Sequence, residues 1–140
     1  MKSLLRPLVL AVAASFALTN LASAADSLKV ADVVSAADLK AMIADAVSGL
    51  EKLVADEKAF TEADTRVRNS ASVLAAFAQA ASELEGASLS PEAARTLRQA
   101  AQDLAATKEF GPAKAAFERV VKAANGEAAA EPPAAIEWGK

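Results

Sequence analysis

Ser90-Pro91-Glu92-Ala93-Ala94-Arg95-Thr96-Leu97-Arg98-Gln99-Ala100-Ala101-Gln102-Asp103-Leu104 is the stretch that decides the fold. A serine able to cap free amides stands before a proline at the first helical position, where a missing N–H costs nothing. Ala93, Leu97, Ala100 and Leu104 then recur at helical spacing and form the inward stripe of an amphipathic helix.

Toward the N-terminus, Gly86-Ala87-Ser88 ends an earlier helix that carries Val67, Ser70, Leu74, Phe77, Ala81 and Leu84, an alternation suited to left-handed helix packing. Thr61-Glu62-Ala63-Asp64 has the pattern of a cap for that helix and places the preceding turn around Ala59 and Phe60. The first helix is expected to start at Ser35, with Asp38 at its third position, and to turn Leu39, Met42, Ile43, Ala46, Leu50, Leu53 and Val54 inward. Gly49 within it costs on the order of 1 kcal/mol in propensity and marks either an exposed site or a close helix crossing.

Toward the C-terminus, Phe110-Gly111-Pro112 interrupts the pattern, because the residue before a proline is pushed out of the helical region. A fourth helix follows with Ala113, Phe117, Val120 and Ala124 inward, closing at Asn125-Gly126. The expected fold is all-α, an antiparallel up-down-up-down four-helix bundle. The alternative fuses the last two segments into one helix kinked at Gly111-Pro112, giving three long helices. Many inward positions are alanine, which buries little area. A homodimer sharing the second-helix stripe of Leu74, Phe77 and Leu84 is one arrangement this thin core admits. Residues 127–140 lose the periodicity and are expected to form a flexible tail, with the sole tryptophan, Trp138, near its end.

At the other end of the chain, Lys2 and Arg6 precede an apolar run from Leu8 to Leu18, and the small residues Ala22-Ser23-Ala24-Ala25 follow. This is the pattern of a secretory signal peptide over residues 1–25, cleaved after Ala24 or Ala25. The run is shorter than the roughly 20 residues that a standard membrane-spanning helix needs, so no stable membrane insertion is expected after cleavage. Residues 26–126 then form the bundle domain, in the periplasm or outside the cell.

Removal of Lys2 and Arg6 without any acid deepens the net charge from −3 to −5. That acidity argues against nucleic acid as a partner, since phosphate binding draws on clustered Lys and Arg. Cysteine and histidine are both absent from the chain. With them go disulfides, thiolate nucleophiles, imidazole bases and the side chains of most zinc, copper and haem-iron sites.

Ser70, Ser72 and Ser82 therefore have no histidine to activate them, and triad hydrolysis is excluded. Asp38, Asp45 and Asp56 fall largely outside the apolar stripe and read as solvated. Arg66, Arg68, Arg95 and Arg98 are the one basic concentration; adjacent helix faces would let them hold a small anion.

The segment from Leu97 to Asn125, an alanine-rich helix, a short loop and an Ala-Lys-Ala-Ala-Phe helix, resembles the last hairpin of cytochrome c-prime and cytochrome b562-like exported bundles. The resemblance implies a haem near the bundle end and gives Met42, on the first helix, the approximate place of a haem-ligating methionine. This chain departs from those families where ligation matters. Ala123-Ala124-Asn125-Gly126-Glu127 stands where a Cys-x-x-Cys-His motif would be, and the last helix has no histidine.

The expectation is a non-catalytic, haem-free exported bundle that binds an unidentified protein or small molecule. A haem-binding electron-transfer protein using Met42 is one alternative. A subunit or chaperone-like partner of another exported protein is the other.

Overall fold

Ser35 accepts a hydrogen bond from the Asp38 amide at 3.1 Å, and Ser90 accepts one from Ala93 at the same distance. Both helix starts thus fall where capping chemistry places them. The computed structural model describes residues 29–136; residues 1–25, read above as a signal peptide, and Trp138 lie outside them. The described residues form six helices and no strand: α1 Val30–Val33, α2 Ala36–Leu53, α3 Glu57–Glu62, α4 Asp64–Glu83, α5 Pro91–Ala106 and α6 Phe110–Ala124.

Four of the helices are long, and they pack in sequence order. α4 lies most extensively against α5, α5 against α6 and α2 against α4, while α2 also touches α6. Their inward side chains form one continuous core, with Leu50, Leu74, Leu97 and Leu104 as its largest fully buried members. Phe60 of α3 sits 6.1 Å from Phe110 of α6, ring centre to ring centre, in the range of favourable tilted aromatic pairs.

The start of α4 differs from the sequence expectation. Asp56, not Thr61, is the cap in this region: its carboxylate accepts from the Ala59 amide at 2.8 Å and starts the short helix α3. The Thr61 hydroxyl instead donates to the Glu57 carbonyl one turn back. A carboxylate closer to the end of α2 has captured the turn, so Phe60 is buried within a helix rather than sitting in a loop.

The stripe of α4 is also wider than expected. Val67, Leu74 and Ala81 are buried as anticipated, but Ala71, Ala75, Ala78 and Gln79 join them, while Ser70 and Phe77 are only half-buried. α4 is gripped by α2 on one side and α5 on the other. Small residues fill the face where backbones approach, and the phenylalanine is displaced to its edge. Leu74 and Leu84 are buried within the one chain, whereas Phe77, the third residue of the stripe offered for a dimer, stays half-buried.

The three-helix alternative does not hold. α5 ends at Ala106, where Thr107 turns its hydroxyl back to the Leu104 carbonyl at 2.8 Å. Gly111 and Pro112 lie in the first turn of α6, whose amides need no helical partner, so the break falls at residues 107–109. α6 closes as expected. The Gly126 amide donates to Ala123 and the Glu127 amide to Lys122, a Schellman closure with Gly126 at φ +100°. Gly49 proves to be an exposed site, since a Cβ there would meet nothing within 4 Å.

Candidate functional site

Among the described residues the buried charged side chain is Arg98, on the inward face of α5 and only 5% exposed. Its guanidinium donates to the Gln79 side-chain oxygen on α4 and, at 2.9 Å, to the backbone carbonyl of Ala134. Gln79 uses its amide nitrogen to reach the Glu83 carboxylate at 2.7 Å and the Ile136 carbonyl. No carboxylate among the described residues pairs directly with Arg98. Gln79 stands between Arg98 and Glu83, accepting from the guanidinium with its oxygen and donating from its nitrogen to Glu83 and to the Ile136 carbonyl.

This network fastens the segment after α6 across α4 and α5. A third bond comes from the Ala129 amide to the Thr96 hydroxyl at 3.0 Å. Residues 129–136, expected from their lost periodicity to be a flexible tail, therefore lie against the two helices with alternate carbonyls, those of Ala134 and Ile136, held by side chains.

Beyond the tail lies a cavity of about 820 Å³, within the size range of ligand sites. It is walled by Val30 and Val33 of α1, by Ser82 at the end of α4, by Arg95, and by Ile136. Arg95 forms an ion pair with Glu92 at 3.5 Å, and its Nε is buried without a partner among the described residues. A second groove, of about 510 Å³, runs between α2 and α4 and is lined by Met42, Ala46, Gly49, Ser70, Val73 and Phe77.

The four arginines read together from the sequence are not brought together. Arg98 meets α4 at Gln79, which is roughly 16 Å along the helix from Arg68 at the standard rise. Arg68 is exposed and pairs with Asp64 at 3.7 Å. Ser72 and Ser82 donate to the backbone carbonyls of Arg68 and Gln79.

Met42, expected to point inward, is 39% exposed at the rim of the second groove. The buried line of α2 runs through Leu39, Ile43, Leu50 and Val54, which puts Met42 to one side of it, toward α4. The groove faces Met42 with Asn69, Ser70 and Val73, none of them a strong iron ligand, so these residues do not fit a ligated haem. Among the described residues no three acidic side chains cluster as a metal site would require, and no helix is long and apolar enough to cross a membrane.

Sequence reasoning missed Gln79 and the tail carbonyls. The available signal for Gln79 was a lone amide on an otherwise small apolar face, one helical turn before Glu83. Compared with known proteins, the chain matches no family model, no curated protein and no solved structure.

Proposed function

We propose that this chain is an exported, non-catalytic binding module, built as an antiparallel up-down-up-down four-helix bundle and free of haem, that engages a partner through apolar seats on its helices. One observation carries the reading. The exposed large apolar side chains of the described residues are Val33, Met42, Val73 and Ile136. Val33 and Ile136 line the larger cavity; Met42 and Val73 line the α2–α4 groove. Single exposed apolar residues are ordinary on any surface, but pairs gathered at concavities are what a binding site needs.

Export rests on the charged start, apolar run and small-residue end of residues 1–25. The non-catalytic reading rests on a chain without cysteine or histidine in which Ser72 and Ser82 spend their hydroxyls on nearby carbonyls. An exported protein or apolar small molecule suits the seats better than an electron-transfer partner, because Met42 has no second ligand to share an iron with.

Recovery of the protein from the periplasm of a host that matures cytochromes tests the reading. The expected product begins at Ala25 or Asp26 and has no Soret band, and added haem binds weakly and equally well to Met42→Ala. A stoichiometric Soret band in the recovered protein would overturn it.

A further inference from the structure

We infer that the face of α4 and α5 beneath residues 129–136 is a receptor for a non-helical, proline-containing peptide of another exported protein, with the chain's own tail as its resident competitor. The inference rests on the binding-module reading and names the partner's chemistry.

The tail shows what the face recognises. Thr96 accepts a backbone amide, while Arg98 and Gln79 donate to carbonyls two residues apart. These contacts read the main chain and are indifferent to sequence, the logic by which receptors hold extended segments. Pro132-Pro133 keeps Glu131 and Pro132 out of the helical region, so the segment arrives ready for such contacts. Glu127 and Glu131 line a smaller cavity of about 270 Å³ that also carries Arg119 and Lys122, so an acidic segment suits the approach.

The fit of the tail is incomplete at its apolar end. Ile136 lines the large cavity yet remains 55% exposed. A segment that placed a bulkier apolar side chain there would keep every backbone contact and bury more area against Val30 and Val33.

That difference also decides which source the occupant comes from. A tethered tail has an effective concentration on the order of millimolar. An identical tail from a second copy gains nothing over it and loses at ordinary concentrations. A partner with a larger apolar anchor can win.

The test uses the intact mature chain and two labelled synthetic peptides, Glu127–Ile136 as it stands and the same peptide with Ile136→Phe. The Phe peptide is expected to bind saturably, roughly tenfold more tightly than the native one. Weakening the resident tail with Ile136→Gly in the protein should strengthen binding of both peptides, and Thr96→Val added to Ile136→Gly, where the resident tail no longer competes strongly, should weaken it without loss of helicity. Equal affinity of the two peptides, accompanied by concentration-dependent dimerisation, would assign the face to a second copy and overturn the inference. So would the absence of saturable binding even to the Ile136→Gly protein. If an apolar dye still bound at Val33 in that case, the module reading would stand while the peptide assignment fell.

Discussion

Arg98 of α5 rests its guanidinium on the side-chain oxygen of Gln79 across the α4–α5 interface, a buried cation held by an amide and a carbonyl. Removing the amide leaves the charge poorly compensated, and that loss is larger than the gain from one ordinary hydrogen bond. Gln79→Leu is expected to cost about 3 kcal/mol in urea unfolding. Arg98→Met combined with Gln79→Leu should recover most of it, because two apolar side chains of similar size need no desolvation of a charge. A double variant no more stable than Gln79→Leu would contradict this account of the pair.

Gly49 and Gly126 should respond to alanine with opposite signs. Gly49 is helical and open on all sides, so Gly49→Ala should stabilise by roughly 0.5–1 kcal/mol. Gly126 closes α6 at φ +100°, and Gly126→Ala should cost about 1 kcal/mol. Thermal melts of the two variants check the pair, and shifts of the same sign would disprove one of the two assignments.

The alanine-lined buried face of α4 should tolerate enlargement poorly. Ala78 is fully buried, and Ala78→Leu is expected to destabilise by about 1–3 kcal/mol through overpacking. Leu97→Ala, in the same core, should cost about 3 kcal/mol through the cavity it leaves. Denaturant midpoints measure both, and a neutral Ala78→Leu would show that the helices are not in close approach.

Local chemistry was the legible part of the fold. Ser35, Ser90 and Pro91 act within one turn of themselves, so their sequence neighbours suffice to predict them. Thr61 misled because Asp56 offers a competing cap a few residues earlier, and only the end of α2 at Leu53 decides between them. Phe77 misled for a different reason: a helix between two neighbours buries a wide face, and alanines 71, 75 and 78 take the tightest positions. Arg98 was recognisable as a basic residue worth attention, but its partner depends on the register of α5 against α4. The tail was least legible, since its anchors are backbone carbonyls that no side-chain pattern records.

The most direct test of the binding-module claim is an NMR titration of residues 26–140 with an apolar-surface dye, repeated with Val33→Ser and with Val73→Ser. The account predicts saturable shifts confined to the residues around Val33 and Ile136 and to those around Met42 and Val73, each set lost in one variant alone. Shifts scattered over the helices, or unchanged by both substitutions, would contradict it.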